Sequence, residues 1–206
     1  MSTTSTILVA TTATGWTATA AVAVHLFKRV HLDALTGLGN RDALEIQARH
    51  ASRTRRGGAV GVLLIDVDQF KAVNDTHGHA AGNHVLRTLA SRLADARLPG
   101  ELPIRLHGDE FALWLGRVPS GERGRYVAGR RAHAIRAALA MPITVNGVRL
   151  SIAASVGAHT LPARGVSLSA LLAGADAAMY AAKRGGRLTS LPTAGRLRDH
   201  DDRESA

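Results

Sequence analysis

Two short acidic runs contain the side chains best suited to chemistry. Residues 65–68 read Ile-Asp-Val-Asp, and residues 107–110 read His-Gly-Asp-Glu. Each run adjoins an apolar stretch of strand length, so each places carboxylates at a predicted strand end. Mg²⁺ takes few protein carboxylates and keeps positions open for phosphate oxygens, which suits two such strand ends. Acidic residues in solvated loops are common, so neither run is specific alone, but together they indicate chemistry on phosphate groups.

The length and composition predict one ordinary domain with extensions. The chain has 206 residues, of which 46% are hydrophobic, which excludes general disorder and allows a full core. It contains no cysteine, which removes disulfides and thiolate-bound zinc from consideration. This composition is compatible with a cytoplasmic domain.

The charge balance favours anionic partners. Lys and Arg number 26 against 16 Asp and Glu, and the only lysines are Lys28, Lys71 and Lys183. A formal charge of +10 suits nucleotides, nucleic acid or an acidic membrane face. The alternative is an arginine-rich composition spread over solvated helices. Two Trp, two Tyr and three Phe leave no aromatic platform for single-stranded nucleic acid, so no nucleic-acid partner is expected.

A charge-free segment near the N-terminus predicts a membrane anchor. Residues 7–27 contain no Asp, Glu, Lys or Arg and exceed the roughly 20 residues that span a bilayer. Lys28 and Arg29 follow directly, which places residues 28–206 in the cytoplasm and the short segment 1–6 outside. The alternatives are a soluble helix or a signal peptide, although the basic start of a signal peptide is absent. We therefore expect a single-pass protein of the inner (cytoplasmic) membrane.

From residue 31 onward the pattern alternates between helix and strand. An α/β layered domain follows from this alternation, and Asn40 is placed to cap the first helix. The predicted elements are a helix at 41–55, a strand at 59–67, a helix at 80–96, a hairpin of 104–106 and 111–115 with its turn at the acids, a helix at 120–140, strands near 143–145 and 149–160, a helix at 167–184 and a disordered polar tail at 191–206.

Four motifs resemble the GGDEF family, the diguanylate cyclases. They are Asp-Ala-Leu-Thr-Gly-Leu-Gly-Asn-Arg at 33–41, the segment from Asp66 to Asn83, His-Gly-Asp-Glu-Phe at 107–111 and the segment 175–187. The resemblance covers residues 31–190 and implies a GGDEF domain at 28–190, preceded by the transmembrane helix. It implies a fold like the palm of nucleotide cyclases and polymerases, with a mainly antiparallel central sheet flanked by helices.

The resemblance also implies a reaction and its partners. A diguanylate cyclase condenses two GTP molecules into cyclic di-GMP, a bacterial second messenger, and releases two pyrophosphates. Each domain would hold one GTP, and two domains would face each other as a homodimer. Two Mg²⁺ ions per site are implied as cofactors, with Mn²⁺ as a possible substitute.

Site residues follow from the same resemblance. The metal ligands would be Asp66, the carbonyl of Val67, Asp109 and Glu110. Asp109 or Glu110 would also help to deprotonate the attacking hydroxyl, and Arg105 would support the transition state. The substrate-binding positions are Lys71, Lys183 and Arg187 for phosphates, Asn74 and Asn83 for guanine, and His107 and Gly108 in the signature loop.

The chain departs from the family pattern at three places. His107 replaces the first glycine of the loop, where glycine permits φ > 0 and lets backbone approach a phosphate. Asn83 replaces the usual Asp, which predicts weaker selectivity for GTP because an amide offers one acceptor and one donor. The product-binding Arg-x-x-Asp falls at 98–101, Leu-Pro-Gly-Glu, so feedback inhibition through that site is not expected.

Other interpretations of the same residues remain open. His77, His79 and His84 lie close together in sequence, but without thiolates or tetrahedral spacing they do not favour zinc. A catalytically silent domain that binds nucleotide or a protein partner is the main alternative to an active cyclase, and a basic nucleic-acid-associated protein is a third. The loop carboxylates favour catalysis, whereas His107 and Asn83 favour the silent domain.

Overall fold

The computed structural model describes residues 30–53 and 57–185. Its elements, in chain order, are α1 (Arg41–Ser52), β1 (Ala59–Val67), α2 (Phe70–Asp95), β2 (Leu102–His107), β3 (Glu110–Val118), α3 (Gly121–Leu139), β4 (Ile143–Val145), β5 (Val148–Leu150), β6 (Ala154–Pro162) and α4 (Leu168–Gly185). The predicted anchor at 7–27 and the predicted tail at 191–206 lie outside the described residues. Within the described ranges, no helix has the length and apolar character needed to cross a membrane.

An antiparallel sheet forms the centre of the domain. Its four strands run in the order β2-β3-β1-β6, and β4 and β5 form a separate two-stranded hairpin. Every strand pair in the central sheet is antiparallel. The predicted α/β fold with a mainly antiparallel sheet is therefore confirmed for the described domain.

Helices cover both faces of the sheet because the side chains of β1 alternate between two cores. Leu63 and Ile65 are fully buried on the face covered by α2 and α3. Val62 and Leu64 point the other way, where α1 and α4 supply the buried Leu44 and Leu171 among others. Side chains two apart in a strand share a face, so one continuous apolar run serves both layers.

A local signal explains where α1 begins. Asn40 caps α1 as predicted, its side chain accepting a hydrogen bond from the Ala43 amide at 3.1 Å. The helix ends at Ser52, so the predicted continuation toward Arg55 is wrong in the described part. Strand β1 and the hairpin of β2 and β3 agree with prediction.

Two predicted boundaries differ from the structure. Helix α2 begins at Phe70, ten residues before the predicted start, and kinks at Gly78, where φ is 81° and ψ is 160°. The polar residues before the kink carry little apolar periodicity, which hid this first part. The predicted strand at 149–160 is two strands, because β5 pairs with β4 whereas β6 joins the central sheet.

Helix α4 lies unusually close to β6. A Cβ added at Gly157 of β6 would lie 2.1 Å from the Ala175 carbonyl of α4, and one at Gly174 would lie 2.3 Å from the His159 ring. Real Cβ atoms do not approach other atoms this closely, so Gly157, which faces backbone atoms, requires glycine for steric reasons, whereas a larger residue at Gly174 would have to displace the His159 ring. The close contact fixes α4, and with it Lys183, relative to the strand ends.

Candidate active site

The two acidic runs lie side by side at one end of the central sheet. Asp66 of β1 is the direct antiparallel partner of Glu110 of β3. The Val67 amide donates a hydrogen bond to the Asp109 carbonyl at 3.3 Å, which ties the end of β1 to the loop. Residues opposed in this way have Cβ atoms about 5 Å apart on one face. The strand register therefore brings together carboxylates that are more than 40 positions apart in sequence.

A lysine from α4 contacts this acidic cluster. The Lys183 ammonium donates to the Asp66 carboxylate and lies 3.9 Å from Asp68 Oδ1. Burial acts to lower the pKa of Lys183, but the hydrogen bond to Asp66 and the charges of Asp66, Asp68 and Asp109 raise it overall. Three carboxylates thus act on one cationic group.

The donor set fits a hard divalent cation. Carboxylates and a strand-end carbonyl are the oxygen ligands that Mg²⁺ and Mn²⁺ prefer, and a positive charge, the Lys183 ammonium, already lies against Asp66 and near Asp68. In the side-chain arrangement of the described residues, no three acidic or histidine groups converge as a metal cluster. Asp66 is directed at Lys183 and Glu110 at His107 instead, so metal binding requires these partners to move.

The signature loop accommodates His107 without backbone strain. The positive φ in this turn belongs to Gly108, at 51°, and His107 is not among the described residues with positive φ. The expected backbone cost of replacing glycine at position 107 is therefore absent. The ring is mostly exposed, and its Nε2 lies 3.2 Å from Glu110 Oε2. The substitution thus acts through its side chain, at one of the proposed metal ligands.

Arg105 connects the loop to the turn that precedes α1. Its NH1 donates to both Asp33 oxygens, at 3.0 and 3.2 Å, and its Nε and NH2 donate to the Gly108 carbonyl at 3.1 and 2.7 Å. Burial acts to raise the pKa of Asp33, but hydrogen bonds from Thr36 and Arg105 lower it overall. In this arrangement Arg105 positions the loop. Its expected role in the transition state stays a prediction.

The residues predicted to read guanine lie on either side of the kink in α2. Asn74 is half-buried and packs directly on Gly82, where an added Cβ would lie 1.9 Å from Asn74 Oδ1. Asn83, next to Gly82, is exposed, as is Lys71 in the first turn of α2. The third predicted phosphate ligand, Arg187, lies outside the described residues.

An open groove of about 400 Å³ adjoins the loop on the face covered by α1 and α4. It is lined in part by Arg41, Leu106, His107, Glu110, Leu172 and Asp176. Such a volume is typical of small-molecule sites. Sequence reasoning did not assign a role to Arg41 or Asp176. Arg41 is the last residue of the first family-like motif, and this position was the only sign in the sequence that it has a role. Its proximity to the loop depends on the packing of α1 against β2.

The comparisons with known proteins decide the family. The model described as "Diguanylate cyclase, GGDEF domain" matches residues 30–189. This chain belongs to the GGDEF family. It is similar to the diguanylate cyclase TpbB of Pseudomonas aeruginosa, at 38% identity over 165 residues, which are 79% of this chain and 37% of TpbB. It is also similar to the cyclic di-GMP phosphodiesterase PdeR of Escherichia coli, at 32% identity over 75% of this chain and 23% of PdeR.

Solved structures support the same GGDEF assignment. A sensory box/GGDEF family protein from Caulobacter crescentus is similar with a TM-score of 0.67 and 36% sequence identity, over 76% of this chain and 99% of that one. In contrast, the chain spans less than two fifths of the length of TpbB and PdeR. The likeness to these relatives is therefore a likeness of GGDEF domains.

The segment 98–101, one of the three departures from the family pattern, takes part in an internal ion pair. At positions 98–101, where the resemblance places a product-binding motif, the Glu101 side chain is only 6% exposed. Arg131 of α3 donates to both Glu101 oxygens, from Nε and NH2, at 2.7 Å each. The Glu101 carboxylate is thus engaged within the protein, and the expected lack of feedback inhibition at this position stays a prediction.

Proposed function

We propose that this GGDEF domain is a diguanylate cyclase, which condenses two GTP molecules into cyclic di-GMP. The observation that carries the proposal is the direct pairing of Asp66 with Glu110 at the strand ends, with Lys183 of α4 against the same carboxylates. A phosphoryl site needs oxygen ligands for metal and cations for the triphosphate, and this arrangement offers both.

The chemistry is an attack by the 3′-hydroxyl of one GTP on the α-phosphate of the other. A new O–P bond forms, the α–β phosphoanhydride bond breaks, and pyrophosphate leaves; a second, equivalent step closes the ring. Bound Mg²⁺ or Mn²⁺ supplies charge neutralisation for the phosphates. Asp66, the Val67 carbonyl, Asp109 and Glu110 would hold the ions, and Asp109 or Glu110 would accept the proton of the hydroxyl.

Cations and amides around the carboxylates would hold the nucleotide. Lys183 is placed to leave Asp66 and contact a triphosphate, joined by Lys71 and Arg187, while Arg105 keeps the loop in position. Asn74 and Asn83 would hydrogen-bond to guanine. Because each domain holds a single GTP, two copies must face each other, so the working form is a homodimer.

The test is product formation by the purified full chain with GTP and Mg²⁺ or Mn²⁺, followed by chromatographic separation of the nucleotides. Glu110→Gln removes one ligand charge at nearly constant shape, and we expect activity to fall by roughly 10²-fold or more. Glu122→Gln on α3 is the matched control, because Glu122 is 96% exposed and follows the end of β3 that lies away from the loop. Absence of a cyclic dinucleotide from folded dimer with either metal would contradict the proposal.

A catalytically silent regulator is the second candidate. It is favoured by the contact between His107 and Glu110, which engages a proposed ligand, and by Asn83 at a guanine-reading position. The likeness to PdeR, a protein named as a phosphodiesterase, points the same way. Binding of GTP or cyclic di-GMP by the folded chain without any turnover would select this candidate.

We also propose that residues 7–27 anchor the protein in the inner membrane, with the GGDEF domain in the cytoplasm. The support is the charge-free segment followed at once by Lys28 and Arg29. Cell fractionation checks it: the full chain should sediment with membranes and resist extraction by carbonate, and a version lacking residues 1–29 should not. Recovery of the full chain in the soluble fraction would contradict the anchor.

A further inference from the structure

The imidazole of His107 lies against a carboxylate that the proposed function assigns to metal binding. His107 and Glu110 are direct partners at the end of the β2–β3 hairpin, and His107 Nε2 is 3.2 Å from Glu110 Oε2. The ring is 66% exposed and the Glu110 side chain is 33% exposed, so both can turn without disturbing the core. The substitution of glycine by histidine therefore adds a nitrogen donor beside a predicted oxygen ligand.

The neighbouring cations are engaged elsewhere. Arg105 is held by Asp33 and by the Gly108 carbonyl, and Lys183 contacts Asp66 and Asp68. In the part of the chain that the structure describes, His107 is the side chain that contacts the Glu110 carboxylate. The two carboxylates thus have different partners: Glu110 contacts an imidazole nitrogen, whereas Asp66 contacts an ammonium group.

We infer that His107 determines which divalent metal the site prefers, and that it favours Mn²⁺ over Mg²⁺. This inference rests on the proposed function, because it takes Glu110 as a metal ligand. An ion on Glu110 would lie about 2.1 Å from a carboxylate oxygen, within reach of the His107 ring after a side-chain rotation. Mg²⁺ demands oxygen ligands, whereas first-row transition ions accept imidazole, and Mn²⁺ is the one that otherwise shares the oxygen preference of Mg²⁺.

Two variants of His107 separate the ring nitrogen from the bulk of the side chain. His107→Gly restores the residue of the family pattern. His107→Gln keeps a polar side chain able to hydrogen-bond to Glu110 but removes the imidazole ligand. His133→Gln on α3 is the matched control, since His133 is exposed and does not line the groove beside the loop.

The measurement is Mn²⁺ binding to the full chain by electron paramagnetic resonance, with Mg²⁺ as competitor. We expect both His107 variants to lower the ratio of Mn²⁺ to Mg²⁺ affinity by roughly tenfold, the scale of losing one metal-site partner, and His133→Gln to leave it unchanged. Pulsed spectra should show ¹⁴N coupling in the wild type and lose it in both variants. An unchanged ratio in His107→Gln, or no ¹⁴N coupling in the wild type, would overturn the inference.

Assaying the same samples for cyclic dinucleotide keeps the two hypotheses separate. A shifted metal preference without product would contradict the proposed function but support the role of His107. Product formation with equal metal ratios in wild type and His107→Gln would support the function and overturn the role of His107. Circular dichroism of each variant checks that the fold is intact.

Discussion

At the scale of single residues, the guanine-binding role proposed for Asn83 leads to a prediction about substrate choice. The usual carboxylate accepts hydrogen bonds from both N1–H and the amino group of guanine, whereas the Asn83 amide offers one acceptor and one donor. Asn83 is exposed beside Gly82, on which Asn74 packs, so the two proposed guanine-binding residues lie near each other in α2.

We predict that Asn83→Asp raises the preference for GTP over ATP by about tenfold, equivalent to roughly one hydrogen bond to a charged group. Competition between the two nucleotides for the wild type and the variant measures the change. His84→Gln, at the next and also exposed position, is the control and should not alter the ratio. A wild type that already excludes ATP strictly would contradict this account of Asn83.

The hydrogen bonds that the Asp33 carboxylate accepts from Thr36 and Arg105 predict a specific response of the domain to acid. Its folded pKa lies below the ordinary value of 3.8, so its contribution to stability is complete above that value and is lost as the pH falls through the lower folded pKa. We expect Asp33→Asn to be less stable than the wild type at pH 7. Its free energy of unfolding should also fall less than that of the wild type on acidification below about pH 4. Urea unfolding at several pH values measures this. Asp75→Asn, an exposed control, should retain the full dependence.

The sequence allowed the acidic residues to be predicted but not their partners. Strand-end carboxylates are visible from the apolar runs beside them. In contrast, the Arg105–Asp33 contact joins residues 72 apart, and the Arg131–Glu101 pair joins residues 30 apart. Such pairings depend on register and helix packing, which local patterns do not specify. The contact of His107 with Glu110 could not be predicted without the turn geometry of the hairpin.

At the scale of elements, the close packing of α4 on β6 positions Lys183 beside the carboxylates at the end of β1. Gly157 permits the contact, because a methyl group there would lie 2.1 Å from the Ala175 carbonyl. Helix α4 carries Lys183, so a displacement of this helix changes both packing and the cation beside Asp66.

We predict that Gly157→Ala destabilises the domain by about 1–3 kcal/mol, the usual cost of overpacking, and raises the KM for GTP. Gly129→Ala is the matched control: an added Cβ at this exposed position of α3 meets nothing within 4 Å. It should stabilise the helix by up to about 1 kcal/mol and leave KM unchanged. Denaturant unfolding and steady-state kinetics test both, and equal stability of Gly157→Ala and wild type would contradict the close packing.

The errors of element prediction share a physical origin. Residues 70–77 form a helix whose few apolar side chains, Phe70 and Val73, pack on the core, so periodicity was too weak to reveal it. Apolar side chains alternate through the stretch 149–160, at positions 150, 152, 154, 156 and 158, but residues 151–153 separate β5 from β6. Only tertiary pairing distinguishes one long strand from two.

At the scale of the whole molecule, the reaction requires two domains. One domain holds a single GTP in the proposed mechanism, so the reacting nucleotides must come from two copies. We expect specific activity to rise with protein concentration until dimers are saturated. Adding excess Glu110→Gln chain to a fixed amount of wild type should then lower activity through mixed dimers, whereas adding Glu122→Gln should raise it. A specific activity that changes neither with protein concentration nor on addition of the Glu110→Gln chain would contradict the need for a dimer.

The stoichiometry of the reaction tests the central proposal most directly. The full chain is incubated with GTP and Mn²⁺ or Mg²⁺, and pyrophosphate and cyclic di-GMP are quantified together over time. The account predicts two pyrophosphates for each cyclic di-GMP, with both products formed roughly 10²-fold more slowly, or not at all, by Glu110→Gln. Phosphate or pyrophosphate release without any cyclic dinucleotide, or no turnover by the folded dimer, would contradict it.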